Sequence, residues 1–87
     1  MTEGLTRYQA SLDKLTKECV KEYLIRDPEY GDSWLEQEAD DLIGTVKGEI
    51  RRFSSKMSRS VLKHRIIDAI AYLAMLNDAI EREEESS

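Results

Sequence analysis

Four acidic residues in this chain, Glu38, Asp41, Glu49 and Asp68, have side chains that can bind a divalent cation. Magnesium prefers hard oxygen ligands and keeps several of its waters, so two or three carboxylates from neighbouring helices are enough to hold it. Glu38 and Glu49 lie about 16 Å apart along a helix axis, so these two cannot share one ion. Glu49 and Asp68 are the better pair, with Asp41 or Glu38 as a further ligand.

The same acids have an alternative use in salt bridges along the helices. Glu49 precedes Arg52 by three residues and Arg65 precedes Asp68 by three, which is a spacing at which opposite charges meet on a helix surface. Exposed pairs of this kind contribute roughly 0–1 kcal/mol to stability and imply no catalytic role. The positions of the helices decide between the two interpretations.

Between Glu49 and Asp68 the chain is strongly basic, because residues 51–65 contain no acid. The basic side chains either bind an anion such as a phosphate group, or form a solvated loop that offsets the acidic helices. Broad binding of nucleic acids is not expected, because the net charge of −5 opposes it. The candidate phosphate-binding residues are Arg51, Arg52, Lys56, Arg59 and Lys63.

Three amphipathic helices are predicted to position these residues. The first has apolar residues at alternating spacings of three and four, and it ends before Pro28 and a turn at Tyr30-Gly31-Asp32. Its apolar seam consists of Leu5, Tyr8, Leu12, Leu15, Cys19 and Tyr23.

The second helix begins with a capping box at residues 33–36, and the third follows a serine-rich loop in which Ser58 or Ser60 supplies the cap. The residues after Arg82 form an acidic tail that is expected to fray. The helices are predicted over about 5–25, 33–53 and 60–82, and the tail over 83–87.

The third helix is apolar on two sides, so it needs a partner on each side. One stripe contains Leu62, Ile66, Ala69, Ile70, Leu73, Leu76 and Ile80, and the far side contains Val61, Tyr72 and Met75 around Asp68. We therefore predict an all-α, three-helix, up-down-up bundle completed by homo-oligomerisation. The expected partner is a second copy of the chain, in a homodimer or a tetramer.

The 87 residues are expected to form a single domain over 1–87. The single cysteine, Cys19, cannot form an internal disulfide, and it lies on an apolar seam, where a core role is more common than a nucleophilic one. No apolar run reaches the roughly 20 residues needed to cross a bilayer, and no secretory signal opens the chain. A cytoplasmic location is therefore expected, with no membrane partner.

The order of an acidic helix with Glu49, a basic loop, and an apolar helix reading Ile67-Asp68-Ala69-Ile70-Ala71-Tyr72-Leu73 resembles the MazG-like all-α nucleoside-triphosphate pyrophosphohydrolases over roughly residues 30–80. In that family an EExxE segment faces an ExxD segment and the carboxylates hold Mg²⁺. Glu49 and Asp68 match the last acid of each segment. Thr45, Val46 and Arg65 stand where the family has its other acids. Residues 30–34 followed by this two-helix pattern are also similar to a small nucleotide-modification-associated domain of phage and prokaryotic proteins.

The resemblance implies a nucleotide-binding protein in which Mg²⁺-dependent release of pyrophosphate from nucleoside triphosphates is residual or absent. Glu49 and Asp68 would be the catalytic metal ligands. The alternative is a non-catalytic helical module for dimerisation or protein interaction, in which Asp68 pairs with Arg65 or with an arginine of the partner subunit.

Overall fold

The computed structural model describes residues 2–30 and 33–86, and within these ranges the chain forms helices and connections with no β-strand. The prediction of an all-α protein with three α-helices is confirmed for this part of the chain. The elements are α1 (Glu3–Tyr30), a short 3-10 helix (Ser33–Glu36), α2 (Ala39–Arg51) and α3 (Arg59–Ser86).

Helix α1 is longer than the predicted 5–25 at both ends. At its start the Thr2 hydroxyl accepts a hydrogen bond from the Leu5 amide at 3.2 Å, so Thr2 acts as an N-cap that the apolar pattern did not reveal. At its end the helix continues past Pro28 to Tyr30, because a missing proline N–H removes one helical hydrogen bond without always ending the helix. Gly31 and Asp32, which were predicted to form a turn, lie outside the described residues.

Helix α2 begins at Ala39 rather than at Ser33, because residues 33–36 form only one 3-10 turn. Two acidic side chains satisfy the first amides of α2. The Asp41 carboxylate accepts from the Glu38 amide at 3.3 Å, and the Glu83 carboxylate accepts from the Ala39 amide at 3.1 Å. Helix starts need such acceptors, so these two contacts define where α2 begins.

Helix α3 begins after Ser58, whose hydroxyl accepts from the Val61 amide at 3.3 Å. The prediction that Ser58 or Ser60 caps this helix is therefore confirmed, with Ser58 as the cap. The helix extends to Ser86 instead of ending near residue 82. Glu83, which was assigned to the fraying tail, is helical and contacts α2, whereas Ser87 lies outside the described residues.

Helix α3 packs against both other helices, on different sides. The hydrogen bond from Ala39 to Glu83 joins the start of α2 to the end of α3, so these two helices form an antiparallel hairpin. Its core consists of Ala39, Leu42 and Ala79, with Met75 and Leu76 packed against them. The second half of α1 crosses α3 near Ile67 and Asp68, where Cys19 and Arg26 make their contacts.

The single chain is less compact than a globular protein of its mass. It exposes 6927 Å², whereas a compact 10.1 kDa monomer exposes about 5,300 Å². Its radius of gyration is 14.8 Å, against about 12 Å for a compact domain of this length. No helix within residues 2–30 and 33–86 combines the length and the apolar character needed to cross a bilayer.

Candidate functional site

Asp68 lies on the side of α3 that faces α1, and it pairs with Arg26. The two atoms Asp68 Oδ1 and Arg26 Nη1 are 3.2 Å apart, and Arg26 Nε lies 3.7 Å from Glu22 Oε2. Arg65 or an arginine of the partner subunit was predicted as the alternative partner of Asp68, and in the structure the partner is Arg26 instead. Arg26 is 42 residues away along the chain, so local spacing carries no signal for this contact.

An apolar groove of about 370 Å³ lies beside this ion pair, between α1, the 3-10 helix and α3. The 3-10 helix is held in place by Trp34, whose indole N–H donates to the Tyr23 hydroxyl at 3.1 Å. The guanidinium of Arg82 lies 5.8 Å from the centre of the Trp34 ring, where a cation is attracted to the aromatic face. The groove therefore has aromatic, sulfur and aliphatic walls with one ion pair at its edge.

Cys19 forms part of the same groove, and its thiol lies 3.9 Å from the Ile67 carbonyl oxygen. Burial raises the pKa of this thiol above its ordinary value of 9.0, and the negative charges of Asp68 and Glu18 raise the pKa further. The thiolate is the reactive form of cysteine, so Cys19 is a weak nucleophile at neutral pH.

Glu49 is the most buried charged residue of the described chain, with 9% of its surface exposed. Its Oε1 atom lies 3.5 Å from Arg52 Nη1, so the predicted pair between these residues is confirmed. Its Oε2 atom is buried and has no hydrogen-bond partner among the described residues. A buried polar atom without a partner costs about 1–3 kcal/mol, and more when charged, so an external donor or cation at this atom would be stabilising.

The four acidic residues singled out in the sequence have separate surroundings. Glu38 and Asp41 form the cap at the start of α2, Glu49 is buried on α2, and Asp68 faces α1. Among the side chains that the structure describes, in residues 2–26 and 33–86, no three of His, Cys, Asp or Glu form a group that could hold a metal ion. Three of the four predicted ligands already have other partners, because Glu38 and Asp41 accept from backbone amides and Asp68 pairs with Arg26.

The predicted phosphate-binding residues lie at one end of the α2–α3 hairpin. They occupy the last residue of α2, the connection after it and the first turns of α3, and all five are exposed. These residues are Arg51, Arg52, Lys56, Arg59 and Lys63. The structure therefore places a basic surface next to the buried carboxylate of Glu49.

A row of exposed apolar side chains runs along each helix of the hairpin. We call this surface the hairpin face, and it consists of Ile43, Ile50, Ile66, Leu73 and Ile80, which are between 37% and 52% exposed. Within each helix these residues repeat at intervals of seven, which is close to two turns, so each set forms one line.

The two rows share one face of the hairpin. Ile43, Ile50 and Ile80 each directly follow a buried residue, so each is rotated by about 100° in the same sense from the α2–α3 contact. In an antiparallel pair, equal rotations of this kind point to the same side. On α3 the row lies about 140–180° around the helix from Ala71, which lines the groove against α1.

This position corrects one expectation about α3. The side around Asp68, Tyr72 and Met75 was expected to be left open, but it borders the α1 groove. The open surface is instead one edge of the main apolar stripe, because α2 covers only part of that stripe.

No protein-family model, curated protein or solved structure matches this chain.

Proposed function

We propose that this protein is a helical self-association module in which two copies meet through the hairpin face. The observation that carries the proposal is the hairpin face itself, with two rows of large apolar side chains that the described chain leaves 37–52% exposed. Contiguous apolar surface on a soluble protein usually marks an interaction site. The single chain also buries few apolar residues, since only Ala39, Leu42, Ala69 and Ala79 are fully buried among the described residues.

A second copy suits this surface because an antiparallel helix pair can pack on an identical pair across a two-fold axis. The result is a four-helix bundle whose core combines both hairpin faces. In such an isologous contact the same residues meet their equivalents in the partner. A row of branched aliphatic side chains is typical of bundle cores, and this face contains four isoleucines and one leucine.

The mass of the full chain in solution tests the proposal. Leu73→Glu puts a charge into the middle of the hairpin face, and we expect it to weaken dimerisation at least tenfold, measured by sedimentation equilibrium. His64→Glu is the matched control, because it puts the same side chain at an exposed residue on the opposite side of α3 from Leu73. Equal association of the Leu73→Glu variant and the unaltered chain would contradict the proposal.

A second function, Mg²⁺-dependent nucleotide binding, is favoured by the buried Oε2 atom of Glu49 that has no hydrogen-bond partner among the described residues. A carboxylate oxygen in this state fits a cation, and the basic end of the hairpin beside it fits phosphate groups. We propose that Glu49 holds Mg²⁺ with Asp68 as a further ligand, whereas Glu38 and Asp41 form the cap at the start of α2. Asp68 would first have to leave Arg26. The site would be a degenerate form of a MazG-like pyrophosphohydrolase site, because Thr45, Val46 and Arg65 stand where that family has its other acids. Bound Mg²⁺ would neutralise charge on the triphosphate.

Isothermal titration with nucleoside triphosphates, with and without Mg²⁺, tests this second function. Glu49→Gln keeps the side-chain shape and removes the charge, so we expect it to abolish the Mg²⁺-dependent part of the binding. Asp40→Asn is the control, because Asp40 is an exposed acid in the first turn of α2 that belongs to no proposed site. Pyrophosphate release by the unaltered chain would add catalysis to binding. The absence of any binding heat with all nucleotides would leave self-association as the function.

A further inference from the structure

We infer that the first half of α1 is a second self-association surface, which pairs with the same segment of another copy as a coiled coil. We call residues 3–18 the α1 arm. The arm is a different surface from the hairpin face, because it lies on α1 ahead of Cys19 and Arg26, which make the hydrogen bonds to α3. The inference therefore stands independently of the proposed function.

The α1 arm has large apolar side chains that are about half exposed. Leu5, Tyr8 and Leu12 are between 44% and 62% exposed, and Leu15 is the first residue of the helix that is partly covered. The fixed contacts with α3 begin only at Cys19. An isolated helix of about 15 residues is marginal in water, so burial of its apolar seam is what would stabilise it.

The seam of the arm has the spacing of a coiled coil. Leu5, Tyr8, Leu12, Leu15 and Cys19 follow one another at intervals of three, four, three and four, which are the a and d positions of a heptad repeat. Two helices with this repeat pack the side chains of one seam into the spaces of the other. The repeat therefore fits a second helix of the same kind.

A second copy is the partner that the flanks of the seam favour. The e and g positions that border it hold Gly4, Gln9, Ser11, Thr16 and Glu18, so Glu18 is the one charged residue there and two identical arms would place few like charges opposite each other. The other charged side chains of the arm lie at outward positions of the repeat. These are Glu3, Arg7, Asp13, Lys14 and Lys17.

The exposed area of the chain is large enough for two interfaces. The excess over a compact monomer of this mass is about 1,600 Å², whereas one partner contributes about 800 Å² to an interface of standard size. The hairpin face accounts for one such contact and the α1 arm for another. When one chain has two different two-fold contacts, the first contact forms dimers and the second joins two dimers into a closed tetramer.

Sedimentation equilibrium of the full chain and three variants tests the inference. Leu12→Glu puts a charge into the seam of the arm, and we expect it to halve the mass of the assembly. Ala10→Glu adds the same charge at an exposed outward position, and we expect it to leave the mass unchanged. Combining Leu12→Glu with Leu73→Glu is expected to give a monomer. Helix content from circular dichroism shows whether each variant is folded.

The outcomes separate the two interfaces. If Leu12→Glu leaves the mass of the assembly unchanged, the inference about the α1 arm is wrong, whatever Leu73→Glu does. If Leu12→Glu lowers the mass and Leu73→Glu does not, the arm is an interface and the proposal for the hairpin face fails. A chain that is monomeric at every concentration contradicts both.

Discussion

At the scale of single residues, the contact between α1 and α3 centres on Arg26, Asp68 and Cys19. The ion pair is partly exposed, with side-chain exposures of 42% for Arg26 and 22% for Asp68. A pair in this setting contributes little to stability, about 1 kcal/mol or less after screening by solvent. Its larger effect is on the neighbouring thiol, because the Asp68 charge disfavours the thiolate of Cys19.

Replacing Asp68 with asparagine should lower the pKa of Cys19. Burial remains in this variant, but one negative charge that opposes the thiolate is lost, so the pKa moves down toward its ordinary value. The rate of iodoacetamide alkylation as a function of pH measures this shift. We expect the rise in rate to occur at lower pH in the variant than in the unaltered chain.

Glu18→Gln is the matched comparison, because Glu18 is the weaker of the two charges acting on Cys19. We expect it to move the alkylation profile in the same direction by a smaller amount. Identical profiles for Asp68→Asn and the unaltered chain would show that Asp68 does not act on the thiol.

At the scale of the elements, helix starts differ in how far apart their capping residues lie in the sequence. The cap of α3 is local, since Ser58 bonds to Val61. The start of α2 combines a local capping box, between Glu38 and Asp41, with a bond to Glu83, which lies 44 residues away from Ala39. Local patterns can therefore predict the cap of α3, but not the contribution of Glu83 to α2.

Replacing Ser58 with alanine should lower the free energy of unfolding by about 1 kcal/mol, because the Val61 amide loses its acceptor. Ser58→Asp should retain most of the stability, since aspartate is also a good cap and favours a helix N-terminus. Urea denaturation of both variants measures the difference. Ser60→Ala is the control, because the hydroxyl of Ser60 meets only that of Ser58, at 3.5 Å. A loss as large in the control would argue against Ser58 as the cap.

The sequence pattern was sufficient for the class of fold and for the pair of Glu49 and Arg52, because both depend on spacing along one helix. It was not sufficient for contacts between helices. The capping box at Ser33 is a local signal, but α2 does not begin there. It begins at Ala39, where Asp41 and Glu83 provide the acceptors. The partner of Asp68 and the covered side of α3 also depended on where α1 crosses, which no local period encodes.

At the scale of the whole molecule, stability and association depend on different side chains of the same hairpin. Leu42 is completely buried, whereas the neighbouring Ile43 belongs to the hairpin face and is 37% exposed. The first side chain supports the fold of one chain. The second is free to support contact between two chains.

Leu42→Ala should destabilise the chain by about 2–5 kcal/mol at any protein concentration, because it leaves a cavity in the core. Ile43→Ala should lower the free energy of unfolding of the monomer by much less than this amount. Its effect on the melting temperature should grow with protein concentration as dimers form. Thermal unfolding over a range of concentrations measures both. A concentration-independent effect of Ile43→Ala would argue against the hairpin face as an interface.

The packing of α1 and α2 on α3 also affects how the protein folds during synthesis. Both helices leave the ribosome before α3, so the groove side of α1 and the buried stripe of α2 have no partner until residues 59–86 emerge. Nascent chains with exposed apolar surface are prone to misassembly and are bound by chaperones. Translation of α3 is therefore the step that converts two separate amphipathic segments, α1 and α2, into a folded subunit.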